Sequence, residues 1–189
     1  MSVTVAHEDA LPAVTVERVE LRRVALPLRR PFRTAHGTED RRDLLLVRVR
    51  TPDGDGWGEC VAPLEPRYSP EHVEGATDVL RRFLVPALLA GGPVEPSEVA
   101  DRTATISGHP MAKASLEMAI LDASLRLAGR SLAAHLGATG KTVVSGVAVG
   151  LHARLDELLT EVDEYVGQGY RRVKLKICLL YTSDAADEL

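Results

Sequence analysis

Apolar and polar residues alternate near the start of the chain, recur at helical spacing through its middle, and alternate again near its end. From Val14 to Leu28 the alternation (Val16, Val19, Leu21, then a shift near Val24) predicts one strand, with room for a bulge at the shift. Pro27, Pro31 and Gly37 interrupt it, so Arg30–Thr38 is expected to be a loop. Asp43–Thr51 predicts a second strand, with Leu45, Val47 and Val49 on one face and Arg48 and Arg50 on the other. Pro52-Asp53-Gly54-Asp55-Gly56 supplies a turn, and Trp57–Ala62 closes the hairpin.

Helical spacing then takes over. Ser69-Pro70-Glu71 reads as a helix start, with serine as cap and proline at the first helical position. Val73, Ala76, Val79 and Leu80, Phe83 and Leu84 follow at helical intervals, and Val85-Pro86 is expected to kink or end that helix. Gly91-Gly92-Pro93 is a break, and a short helix is expected after Ser97. The strongest helix spans Met111–Ala128, with Ala112, Leu116, Ala119, Ile120, Ala123 and Leu127 as its stripe and Gly129 as its stop. Ser131–Leu136 predicts one more short helix. The organisation then changes to strand (Thr142–Gly150), helix (Leu151–Val166) and strand (Arg172–Ile177). That order is one βαβ unit, which requires parallel strands. The implied domains are a loose tail to residue 14, an α+β domain over 15–138, and the opening of an α/β domain over 139–177.

Composition narrows the partners rather than the fold. The 189 residues are 45% hydrophobic and 26% charged, with a net charge of −4. Clustered positive charge, which nucleic acids and membrane surfaces demand, is absent. The arginine pairs (Arg22-Arg23, Arg29-Arg30, Arg41-Arg42) are punctuated by acids and read as solvated strand edges and loops. Two cysteines, Cys60 and Cys178, make no disulfide framework and suit a reducing cytoplasm. No secretory leader and no apolar run of membrane length is visible.

Chemistry concentrates in Val173-Lys174-Leu175-Lys176-Ile177. A strand puts both lysines on one face. If that face is interior, desolvation and mutual repulsion lower a lysine pKa and make a usable base. If the strand is an edge, the lysines are solvated and guard against aggregation; this segment alone leaves both readings open. Gly140-Lys141-Thr142 mimics the end of a phosphate-binding loop, but His135 stands where a glycine is needed and a strand follows instead of a helix. The six histidines have no metal-ligand spacing and read as surface or capping residues; His36 alone sits in a suggestive loop. Glu59, beside Gly58 and Trp57, is expected to be a buried structural acid. Asp122 is expected to be a hydrogen-bonded helix-packing acid.

Taken in order, these segments resemble one family. Val19-Glu20-Leu21-Arg22-Arg23, Pro31-Phe32-Arg33-Thr34 with Gly37-Thr38, Leu44-Leu45-Leu46-Val47-Arg48 and Gly56-Trp57-Gly58-Glu59-Cys60-Val61-Ala62 are similar to the enolase superfamily. So are Met111-Ala112-Lys113, Leu116-Glu117-Met118-Ala119, Ser145–Gly150 and Lys174-Leu175-Lys176-Ile177. Within it, the o-succinylbenzoate synthase and N-acylamino acid racemase group is the nearest likeness. The likeness spans roughly residues 16–177; its motifs are weak singly and specific in joint order.

The resemblance implies an α+β capping domain followed by the first βαβ unit of a truncated (β/α)7β TIM-type barrel. It implies abstraction of the proton α to a carboxylate, an enediolate stabilised by Mg2+, and a lysine on each side of a small carboxylate substrate. By the same resemblance Lys176 matches the acid/base lysine and Lys174 its supporting neighbour. Phe32 matches an apolar residue of a loop that closes over the substrate. Ala148 stands where serine is common, which removes one polar contact worth ~1 kcal/mol. His36 stands where an apolar aromatic is frequent, and Pro63 where a larger apolar residue lines the pocket. Phe32, His36 and Ala148 are therefore the expected substrate-binding positions.

After Ile177 the family's Pro-Gly-x-Asp turn is missing. Residues 178–189 resemble translated sequencing-adapter read-through and are expected to be non-native. A whole barrel takes ~250 residues, so the metal ligands and second lysine are expected on later strands, with none in this chain. The expected parent is a cytoplasmic, homo-oligomeric, Mg2+-dependent o-succinylbenzoate synthase of menaquinone biosynthesis, with N-acylamino acid racemisation as a second activity. The fragment itself is expected to be inactive. The alternatives are a dipeptide epimerase, a muconate cycloisomerase, or a non-enzymatic binding module built on the capping domain.

Overall fold

The alternating segments near the start form a three-stranded sheet in the order β1 (Arg18–Thr34), β2 (Gly37–Thr51), β3 (Gly54–Cys60). The computed structural model describes residues 10–34 and 37–176. His36 and the suspected read-through at 178–189 lie outside the described residues, as does Ile177. The chain divides into two compact units: Met1–Ala25 with Asp43–Thr139, and Leu26–Arg42 with Gly140–Leu189. The segment Leu26–Arg42, which lies within the α+β domain expected over 15–138, packs with the second unit.

The expected loop at 30–38 is also revised. Strand β1 continues through Pro27 and Pro31 to Thr34, and β2 begins at Gly37. The reason is position in the sheet. β1 is an edge strand, and an edge tolerates proline because one row of its N–H groups needs no partner. The end of the expected tail is revised too: Val14 is buried and exchanges hydrogen bonds with Val94 (2.9 Å each way).

In the first unit β2 and β3 pair antiparallel, with Leu45 opposite Cys60, Val47 opposite Gly58 and Val49 opposite Gly56. These residues share one face, and all are buried. Helix α4 (Pro110–Leu127) packs on β3 with Ala112, Ser115, Leu116, Ala119, Ile120 and Ala123 buried. Its approach is set by two glycines. A Cβ on Gly58 would stand 1.9 Å from the Ser115 carbonyl oxygen, and one on Gly56 2.0 Å from that of Ala119. Asp122 accepts from the Trp57 N–H and from Arg126 Nε, both at 3.0 Å, which confirms it as a packing acid joining helix to strand. Glu59, expected to be buried, is exposed; strand alternation puts it on the face away from α4. The outer face also carries Arg48, hydrogen-bonded to Asp55 and stacked 5.3 Å from the Trp57 ring centre.

The remaining helices of this unit complete the core. The expected helix start at Ser69 is displaced: α1 runs Val73–Val79 with His72 as N-cap, and the Ser69 hydroxyl instead accepts the Glu71 N–H. Glu71 is buried and turns its carboxylate onto α4, accepting from the N–H groups of Met111 (2.8 Å) and Ala112 (3.1 Å). A carboxylate there satisfies orphan donors and opposes the positive end of the helix. A π-helical turn (Leu80–Leu84) precedes α2 (Val85–Leu89), so the chain passes Pro86 without ending the helix. A 3-10 turn (Pro96–Glu98), α3 (Val99–Arg102) and α5 (Leu132–His135) follow the expected order. Gly129, at φ 61°, ends α4 as anticipated.

In the second unit, β4 (Val147–Val149) and β5 (Val173–Leu175) pair in parallel with α6 (Leu155–Gly167) between them, the expected βαβ unit. The register places Val147 beside Val173, Ala148 beside Lys174 and Val149 beside Leu175. Both strands are shorter than the alternation predicts, and Val143 and Val144 are exposed. Gly169, at φ 92°, turns the chain out of α6. No helix among the described residues is long and apolar enough to cross a membrane.

Candidate functional site

The candidate site lies within the second unit, at the C-terminal ends of β4 and β5. Parallel pairing brings Ala148 and Lys174 side by side, and neighbours in register project to the same face. Lys176 and Gly150 continue that face one period further on. The backbone closes around this end: the Lys176 N–H donates to the Val149 carbonyl (3.1 Å), and the Leu151 N–H donates to the Arg33 carbonyl (3.1 Å).

The second of these bonds brings the β1 segment onto the strand ends. Gly150 permits the approach, because a Cβ there would lie 3.3 Å from both the nitrogen and the carbonyl oxygen of Arg33, and 3.6 Å from the Phe32 ring. Phe32 is thereby held over the lysine face, with its ring centre 5.4 Å from Lys176 Nζ. An ammonium at that distance from an aromatic face is attracted by the ring quadrupole. The ring also takes water away from one side of the amine.

The two lysines therefore differ. Lys176 is half-buried beneath a half-buried Phe32, whereas Lys174 and Ala148 are exposed. Lys174 is solvated, as the edge-strand reading has it; Lys176 is partly enclosed, as the interior reading has it. Phe32, Lys176, Lys174 and Ala148 are brought together on one surface, and His36 lies outside the described residues. Pro63 belongs to the first unit, where its carbonyl accepts the Val73 N–H.

A second cluster was not legible in the sequence. Arg30, read as a solvated strand-edge residue, donates to Glu164 (2.8 Å) and lies 3.5 Å from Glu161. Its guanidinium stacks 5.9 Å from the Tyr165 ring centre. Glu161 in turn meets His152, with 2.6 Å between its Oε2 and His152 Nε2. His152 thus has an acid partner where only a surface or capping role was expected. The Glu164 carboxylate raises the Arg30 pKa, and burial, followed by Glu161, pushes the Tyr165 phenol up. The one available signal was the placement of Glu161, Glu164 and Tyr165 on neighbouring turns of α6; nothing local ties them to Arg30, which precedes Glu164 by 134 positions.

The arrangement offers an amine that can give or take a proton, an aromatic wall above it, and open space beside Ala148. It does not offer a metal site. Among the described residues, no group of three or more His, Cys, Asp or Glu residues could hold a metal ion. The described residues therefore do not fit the Mg2+ that the resemblance implies.

Comparison with known proteins places this geometry in a family. Residues 16–137 match the mandelate racemase / muconate lactonizing enzyme N-terminal domain. An N-succinylamino acid racemase from Amycolatopsis is 51% identical over 159 residues, which cover 84% of this chain and 43% of that protein. An o-succinylbenzoate synthase from Geobacillus kaustophilus is 41% identical over 166 residues, covering 87% of this chain and 44% of the relative. A crystal structure of an enolase-superfamily member from Listeria innocua superposes with a TM-score of 0.80 at 35% identity, covering 87% of this chain and 45% of that one. The chain spans less than half the length of the relatives it matches. With the domain match over most of its described residues and the shared fold, the chain belongs to the enolase superfamily, and it carries the N-terminal domain of the mandelate racemase / muconate lactonizing enzyme family.

Proposed function

We propose that this chain supplies the capping part and the first two barrel strands of a (β/α)7β enzyme acting on a small carboxylate, with Lys176 moving the proton α to the carboxyl group. The observation that carries the reading is the Lys176 ammonium beneath the Phe32 ring, at the end of a parallel strand. An amine half-enclosed by an aromatic wall can accept a carbon-bound proton in its neutral form and return it in its charged form. Lys174 lies beside it on the same face, next to Ala148 in register. Phe32 excludes water from the reacting carbon, and Ala148 leaves room for an apolar part of the substrate.

The activity proposed for the complete enzyme is o-succinylbenzoate synthesis. The α-proton of a hydroxylated cyclohexadiene carboxylate passes to Lys176, the bond to the neighbouring hydroxyl breaks as the Lys176 ammonium returns that proton to the departing oxygen, water leaves, and the ring becomes aromatic. Racemisation of N-acylamino acids is the companion activity, supported by the 51% identity to the Amycolatopsis racemase. There the proton removed from one face is replaced on the other by a second group. The divalent cation and that second group are assigned to residues outside the described ones.

The test joins residues 10–176 to the C-terminal remainder of the Amycolatopsis relative and assays both reactions. Lys176→Ala is expected to abolish both, a loss of about 10²–10⁴-fold. Activity retained in Lys176→Ala overturns the assignment of Lys176. Turnover of dipeptides alone overturns the proposed substrate.

A further inference from the structure

We propose that Arg30 is the positioning residue that clamps Phe32 over Lys176, by gripping α6 through Glu161, Glu164 and Tyr165. The inference deepens the proposed function and rests on it for its catalytic meaning, though its geometry stands alone. Arg30 and Phe32 are two residues apart in β1, so they project to the same side of the strand. The Arg30 end is held by two carboxylates and a ring on α6. The Phe32 end lies over Lys176 and beside Gly150. Between these points β1 is an edge strand containing Pro31, which has no N–H to donate. Side-chain anchorage therefore matters more here than in a central strand.

The composition of the grip also matters. An isolated exposed ion pair contributes little. Here one planar guanidinium meets two acids and an aromatic face at once, a geometry that suits arginine and not lysine. Glu161 is the less exposed of the two acids, at 16%, and it is further braced by His152. Glu161 is thus held independently of Arg30, and losing Arg30 removes the side-chain hold on the β1 segment, leaving it the Leu151–Arg33 backbone bond, without dismantling α6.

The experiment uses isotope-labelled full chain and reads the Lys176 ε-methylene resonances, which the Phe32 ring current shifts upfield. The expected result is an upfield shift in the unaltered chain, its loss in Arg30→Glu, and its return in Arg30→Glu combined with Glu164→Arg. Arg30→Lys is expected to restore the shift only in part. The backbone amide resonances of α6, in the second unit with Arg30 and Lys176, report whether each variant is folded there. No upfield shift in the unaltered chain, or a shift that survives Arg30→Glu in a folded protein, overturns the proposal. Loss of the shift that the charge swap fails to restore also overturns it. None of these readouts depends on turnover, so a failed clamp is distinguishable from a wrong assignment of Lys176, which only the activity assay tests.

Discussion

The Phe32 ring centre lies 5.4 Å from Lys176 Nζ, so a residue near the start of the chain covers the amine at the end of β5. In the joined enzyme, Phe32→Ala is expected to lower kcat/KM by about tenfold or more, since a loosened wall misplaces the substrate and admits water. Phe32→Leu should recover much of the loss. Steady-state kinetics on the two variants checks this.

Gly58 leaves no room for any side chain, because its Cβ position is 1.9 Å from the Ser115 carbonyl oxygen. Backbone must move to admit even a methyl group. Gly58→Ala should destabilise the first unit by about 3 kcal/mol or more, at the upper end for overpacking. Urea unfolding followed by Trp57 fluorescence measures it. Gly92→Ala, where nothing lies within 4 Å, is a control for steric effects, though its φ of 76° carries its own smaller strain.

Glu71 holds the first turn of α4 through two backbone donors. Glu71→Ala leaves the Met111 and Ala112 N–H groups without that partner in a buried setting. A loss of about 2–3 kcal/mol is expected, as for charge-assisted bonds to buried donors. Glu71→Gln should cost less, because an amide oxygen still accepts one of them. Thermal unfolding of both variants ranks the two effects.

Glu20 predicts an acid-side signature. Hydrogen bonds from Arg22, aided by Arg18, hold its pKa at about 2 against an ordinary 4.5. The native state therefore favours the ionised form. The stabilisation is fully present above 4.5 and is lost as pH falls from there towards 2. The stability difference between the unaltered protein and Glu20→Gln should shrink over that window and stay flat above it, which denaturant titrations at stepped pH resolve.

Cys60 is buried, and burial raises its thiol pKa. In a Cys178→Ser background it should resist thiol reagents in native buffer and react once denaturant opens the first unit. Fast native labelling would contradict the packing of Cys60 opposite Leu45.

Much of this architecture is legible in local sequence patterns. The stripe on α4 and its glycine stop, the alternation of β2, and the strand–helix–strand change near the end are local patterns, and each emerged as an element. What escaped was set by partners distant in the chain. Proline at 27 and 31 argues against a strand until β1 is known to be an edge. Glu71 looks like the first turn of its own helix because its true partners are 40 residues away. Arg30 looks like a solvated pair-mate of Arg29 until α6 is beside it. The lysine pair was visible as alternation, but the difference between the covered Lys176 and the open Lys174 depends on Phe32, which no local pattern links to either.

The pairing of Ala148 with Lys174 has one more implication. Side chains switch layers at every step along a strand, so slippage of β5 by one position would carry both ammonium groups to the opposite surface and turn Val173 and Leu175 towards the aromatic lid. A turn lengthened or shortened by one residue after α6 would thus be chemically silent while leaving the helix intact.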